Sequence, residues 1–118
     1  MAHITQKAID PVRIGRKAEI FAALASPARI AIVEALSQGE LSVSELVEAI
    51  SALECACSVE RTNISKHLAV LRDTGIVSCH GDAQRRIYRL EAACLIDAID
   101  CVVDRGNYLC ASEVSPKE

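Results

Sequence analysis

Along most of this chain apolar residues recur every three or four positions, the spacing that lines up one face of an α-helix. From Pro11 to Leu24 the stripe is Ile14, Ala18, Phe21 and Ala22, extended by Ile20 and Leu24, which predicts a first helix. Ser26-Pro27 then sets a capping serine ahead of a proline at the first helical position. Ile30, Ile32, Val33 and Leu36 follow, and Gly39 closes this second helix. Ser42 or Ser44 caps a short third helix holding Leu46, Val47 and Ile50, with Glu45 near its positive end. Ser51 to Ser58 drops the pattern and is expected to be a connecting loop. A fourth helix is predicted from near Ser58 or Val59 to about Asp73, its buried stripe made of Ile64, Leu68 and Leu71 at i, i+4, i+7.

Past Gly75, a residue suited to a helix C-cap, the periodicity changes. Ile76 to His80 reads as a strand, Gly81 to Gln84 as a turn and Arg85 to Leu90 as a returning strand, which makes a β-hairpin. From Ala92 to about Gly106 helical spacing returns, with Leu95, Ile96, Ile99, Val102 and Val103 crowded along it. That is more apolar surface than a lone surface helix needs. The expected class is mainly α with a small β-hairpin. One domain is expected over residues 11–106, between a flexible N-terminus (1–10) and a C-terminal tail (107–118).

Composition agrees with this plan: 51% of the 118 residues are hydrophobic but only 3% are aromatic, so Leu, Ile, Val and Ala must fill the core. No apolar run is long enough to span a membrane, and the first residues lack a signal-peptide layout, so a cytosolic protein is expected. The net charge of −3 argues at first against nucleic acid. Its distribution reverses that: from Arg61 to Arg89 there are six Arg or Lys residues against Asp73 and Asp82, a local +4 that leaves −7 elsewhere. Phosphate attraction needs only such local potential, because it acts over roughly 8 to 10 Å.

Short helix, connection, polar-faced helix and basic hairpin, in that order, describe a winged helix-turn-helix. The fourth helix would enter the major groove of operator DNA, with the hairpin wing on the flanking backbone or minor groove. Thr62, Asn63, Ser65 and Lys66 offer donors and acceptors for base edges and phosphates. Arg61, Arg85 and Arg86 supply largely sequence-blind phosphate affinity. His67 belongs to the same face, as a partly buried packing or phosphate-contacting residue rather than a metal ligand.

Three ordered stretches resemble the ArsR/SmtB family of metal-sensing repressors. Leu24-Ala25-Ser26-Pro27-Ala28-Arg29 is similar to the family's start of the second helix. The run from Asn63 to Val77, with Ser65-Lys66-His67-Leu68 and Leu71-Arg72-Asp73-Thr74-Gly75-Ile76-Val77, is similar to its recognition helix. Arg86-Ile87-Tyr88-Arg89-Leu90 is similar to its second wing strand. The resemblance implies a homodimer formed through the first and last helices, which would account for the surplus apolar surface at Leu95, Ile99 and Val102. It also implies a transcriptional repressor, not an enzyme, released from its operator by an effector.

Six cysteines suggest what that effector is. In a cytosolic chain they favour free thiols, metal ligands or redox sensors over disulfides. Arsenite or antimonite takes three thiolates, and cadmium, lead or zinc three or four ligands. Cys55-Ala56-Cys57, just before the fourth helix, can converge on one ion. Cys94 and Cys101 share a face of the last helix but stand about 10.5 Å apart along it, so each would need other partners. The expected metal set is therefore Cys55, Cys57, Cys94 and Cys101, with Cys79 and Cys110 less favoured. Many family members carry Glu-Leu-Cys-Val-Cys-Asp-Leu before the recognition helix; here Ser42 and Ser44 stand where those cysteines would be. The rival keeps the fold and makes the thiols sensors of oxidants or reactive sulfur. A thiol enzyme built on Cys79 and His80 is a distant alternative, since adjacent strand residues point to opposite faces.

Overall fold

The computed structural model describes residues 8–52, 61–82 and 84–105. Five helices and three short strands follow in the order α1 (Pro11–Leu24), α2 (Pro27–Leu36), β1 (Leu41–Ser42), α3 (Val43–Ser51), α4 (Arg61–Asp73), β2 (Val77–Gly81), β3 (Arg86–Leu90) and α5 (Ala93–Arg105). Among the described residues no helix is long and apolar enough to cross a membrane.

Local chemistry sets most of the boundaries. Asp10 accepts from Val12 N at 2.9 Å and Pro11 opens α1; Ser26 accepts from Arg29 N and Pro27 opens α2. At α3 the cap is Ser42, and the bond is reciprocal. Glu45 N donates to Ser42 Oγ at 3.2 Å and Ser42 N donates to Glu45 Oε1 at 2.8 Å, a capping box. α4 ends in a Schellman motif: Gly75, at φ +85, lets its N–H reach Arg72 O and the Ile76 N–H reach Leu71 O. Ile76 and Leu71 are both buried there, so the turn is fastened from inside as well.

Ile64, Leu68 and Leu71 of α4 are fully buried and pack with Ile32 and Val33 of α2, Leu46 and Ile50 of α3, and Val77 and Tyr88 of the sheet. α5 adds Ile96 to this buried core and packs the half-buried Leu95 and Ile99 against it, so those two are not surplus surface; α1 adds Ala23 and Leu24, with Ile20 half-buried beside them. The α1 stripe read from the sequence instead faces outward: Ile14 is 53% and Phe21 60% exposed, and Ala18 and Ala22 are also exposed. Val102 and Val103 on α5 are exposed too.

Two expectations need correction. The hairpin is part of a three-stranded antiparallel sheet in the order β1-β3-β2, because Leu41 and Ser42 pair with Tyr88 and Ile87. A two-residue strand has no periodicity of its own; Leu41 joins the sheet because its side chain packs on the core. Ser51 is the last residue of α3 and Ala52 its cap, bonded back to Glu48 O, so the proposed loop does not begin at Ser51. The remainder of that loop, the start of α4 before Arg61, the first seven residues and the tail from Gly106 lie outside the described residues.

Candidate nucleic-acid interface

With its apolar stripe turned inward, α4 presents Asn63, Ser65 and Lys66 to solvent. Arg61 and Thr62 occupy its first turn. Lys66 has no carboxylate partner among the described residues, so its charge is available to a phosphate. His67, one position on, is half-buried at the edge of this face.

Three arginine bonds fix how α4 sits. Arg29 of α2 donates from Nε to His67 Nδ1 at 3.1 Å and from Nη1 to the Ala23 carbonyl at the end of α1, 3.3 Å away. Arg16 of α1 donates from Nη2 to Thr74 O at 2.9 Å, just past the C-terminus of α4. Burial, and then the neighbouring Arg29 charge, hold the His67 pKa below the ordinary imidazole value. Sequence reasoning gave neither arginine a role. Arg29 lies inside the Leu24 to Arg29 motif, where its helix-start signal masked its side chain's task.

The wing stands beside the start of α3. Asp82 accepts from the backbone N–H groups of Gln84 (3.0 Å) and Arg85 (2.9 Å), shaping the tip and lowering the Asp82 pKa. Gly81, at φ +111, is required there, since a Cβ would overlap the Arg85 carbonyl. Arg85 pairs with Glu45 of α3 at 3.6 Å, and Arg86 donates from Nε to Cys79 Sγ at 3.3 Å, a bond that raises the Arg86 pKa. Between them lies an open cleft of about 570 Å³ lined by Ser42, Val43, Ser44, Glu45, Gln84, Arg85 and Arg86. The third wing arginine, Arg89, is held by Glu40 at 3.7 Å and Glu91 at 3.2 Å, two carboxylates against the single one that meets Arg85. Burial raises the pKa of Tyr88, the buried residue of β3.

Of the expected metal set, only Cys94 and Cys101 lie among the described residues. Cys94 and Cys101 are exposed on α5 and Cys79 is half-buried on β2, all as free thiols. Among the described residues no three His, Cys, Asp or Glu side chains gather into a group that could hold an ion. The α5 thiols of one subunit therefore do not fit a metal by themselves. Cys55, Cys57 and Cys110 lie outside the described residues. His80, the imagined partner of Cys79 in a thiol enzyme, bonds instead to Glu40 at 2.9 Å.

A family model described as a helix-turn-helix domain matches residues 24–80. The chain is 41% identical over 76 residues to the uncharacterized regulator Rv0081 of Mycobacterium tuberculosis, a stretch covering 64% of this chain and 61% of that protein. It thus spans about three fifths of that relative's length. It is 31% identical over 100 residues to the biofilm growth-associated repressor of Xylella fastidiosa, covering 82% of this chain and 81% of the repressor. The crystal structure of Rv0081 superposes with a TM-score of 0.67 at 30% identity over 90% of this chain and 99% of that one. A homodimeric winged helix-turn-helix domain from Mycobacterium bovis, described as a possible ArsR-family regulator, gives 0.69 at 25% identity over 86% and 91%. Fold, motifs and relatives agree: the chain belongs to the ArsR/SmtB family of winged-helix transcriptional regulators.

Proposed function

We propose that this chain is a transcriptional repressor that binds an inverted-repeat operator as a homodimer, with α4 of each subunit in a major groove and the Arg85–Arg86 tip on the flanking backbone. The observation that carries this is the two-sidedness of α4, whose inner stripe is fully buried while Asn63, Ser65 and Lys66 stay polar and exposed beside an arginine wing. Relatives described as repressors support the direction of regulation, and the homodimeric neighbour supports the assembly. The exposed apolar residues Ile14 and Phe21 of α1 and Val102 and Val103 of α5 supply a surface for a second copy.

Release is assigned to a thiophilic ion, arsenite or antimonite before cadmium, lead or zinc. In this reading Cys55 and Cys57 act with Cys94 or Cys101, one subunit's α5 pair being too far apart along its helix to serve alone. An oxidant acting on the same thiols is the competing version. Repression and release are linked by differential affinity: about 3 to 4 kcal/mol of coupling changes DNA affinity a hundredfold or more.

Fluorescence anisotropy on DNA from the chain's own upstream region tests the reading. Lys66→Ala and Arg85→Ala each weaken binding and flatten its salt dependence by about one phosphate contact. Unchanged affinity in both variants would remove this face from consideration. Arsenite, cadmium and peroxide arms in the same assay identify the effector, and Cys55→Ser or Cys57→Ser abolishes release while leaving binding intact.

A further inference from the structure

The Arg29–His67 bond does more than join two helices. A guanidinium has no acceptor, so the Nε–H of Arg29 can bond to His67 Nδ1 only when that nitrogen carries a lone pair. In the neutral ring the single proton then resides on Nε2. Nε2 has no bonding partner among the described residues, and none of their buried side-chain nitrogens or oxygens lacks one. It follows that Nε2 reaches solvent. Its neighbours at this edge of α4 are the exposed Asn63, one turn earlier, and the exposed Lys66.

We propose that Arg29 is a positioning residue for operator binding: by occupying His67 Nδ1 it confines the ring proton to Nε2 and leaves that N–H at the edge of α4 as a neutral donor to a DNA phosphate. The proposal rests on the DNA-facing reading of α4 and deepens it. Arg29 itself stays behind the helix, anchored on the Ala23 carbonyl, and acts only through the imidazole. The charged groups nearest the ring are Arg29 from α2, bonded to it, and Lys66, its neighbour on α4; α1 contributes only the Ala23 carbonyl that anchors Arg29, and burial, then the Arg29 charge, lower the His67 pKa. Because the folded-state pKa is depressed, the contribution of the buried neutral ring to stability is complete above the ordinary imidazole value and is lost as pH falls from there through the lowered one.

Without Arg29 nothing holds the ring's rotation, so Nε2 is no longer kept at the edge of α4, and the neutral ring also divides its proton between two nitrogens. Arg29→Ala should therefore weaken operator binding about three- to tenfold at alkaline pH. The deficit shrinks on acidification, because a protonated imidazole carries an N–H at Nε2 whatever its neighbour. A purely structural role for Arg29 would give a deficit that stays constant or grows as pH falls, and that outcome overturns the proposal. Long-range proton–nitrogen NMR on the free protein reads the tautomer directly. Wild type is expected as the Nε2–H form, and Arg29→Ala as a mixture that titrates at higher pH; identical spectra refute the bond's role. Should Arg29→Ala not fold, His67 carries the test. His67→Gln, whose amide nitrogen falls near Nε2, stays within about threefold of wild type, whereas His67→Ala loses the three- to tenfold. Equal behaviour of these two variants counts against the proposal. Wild-type protein that ignores its upstream DNA would defeat the repressor reading and the phosphate contact together, while the NMR result still decides the Arg29–His67 bond.

Discussion

Ile64, Leu68 and Leu71 on α4 and Ile14, Ala18 and Phe21 on α1 repeat one pattern, i, i+4, i+7, with opposite fates. The α4 residues are at 0% exposure, whereas Ile14 and Phe21 keep 53% and 60% of their surface in solvent. Periodicity reports that a helix has an apolar side but not what covers it. For α4 the cover is the rest of its own subunit, since α2, α3 and the sheet close over the stripe. For α1 nothing among the described residues closes over Ile14, Ala18 and Phe21, and α5 likewise leaves Val102 and Val103 exposed, which fits the proposed second copy of the chain as their cover.

If the two stripes differ in this way, shortening them should break different things. Leu68→Ala opens a cavity in a site that α2, α3 and α4 share and should cost about 2 to 5 kcal/mol of folding stability. Urea denaturation at fixed protein concentration measures it, and a loss under about 1 kcal/mol would show that the α4 stripe is less tightly enclosed than its burial indicates. Phe21→Ala should leave helix content unchanged. Its cost falls on association instead, about 1 to 2 kcal/mol for each of the two copies because Phe21 is already partly covered in its own subunit, or roughly thirtyfold to a thousandfold in the dimer dissociation constant. Sedimentation equilibrium of wild type and variant reads that shift. Unaltered self-association would mean that another surface joins the subunits.

Features held by short-range rules were legible in the sequence. Ser26-Pro27 and Gly75 each act within a turn of their own position, so the start of α2 and the end of α4 followed from residue type, while for α3 residue type offered Ser42 or Ser44 and the structure selects Ser42. Elements that exist through distant partners were not. β1 is two residues long and is a strand only because Tyr88 and Ile87 lie opposite it. Arg29 and His67 are separated by 38 positions, and Arg85 meets Glu45 only once the wing has folded back on α3. For the expected DNA face, residue chemistry chose Arg61, Thr62, Asn63, Ser65, Lys66, His67, Arg85 and Arg86; the fold puts Asn63, Ser65, Lys66, Arg85 and Arg86 at the surface and half-buries His67, while the side chains of Arg61 and Thr62 lie outside the description. The cysteines expected as metal ligands had no such constraint, because their meaning depends on which thiols meet, and Cys94 and Cys101 of one subunit's α5 stand as separate free thiols.

The smallest effect sharpens the contrast between enclosed and exposed bonds. α3 lies under α4, yet its first turn is fastened by the exposed Ser42–Glu45 capping box rather than by buried surface. Ser42→Ala removes one half of the box and should cost about 0.5 to 2 kcal/mol, less than Leu68→Ala. The Ser42 backbone N–H, followed by its hydroxyl and the Arg85 charge, lowers the Glu45 pKa. A depressed carboxylate pKa means that the Glu45 contribution is complete above the ordinary carboxylate range and disappears as pH falls through the lowered value. Glu45→Gln should therefore reduce stability near neutrality and converge with wild type in acid, where both side chains are uncharged. Urea midpoints measured across that range decide the matter: parallel curves would mean that the Glu45 charge takes no part in holding α3 or the wing arginine beside it.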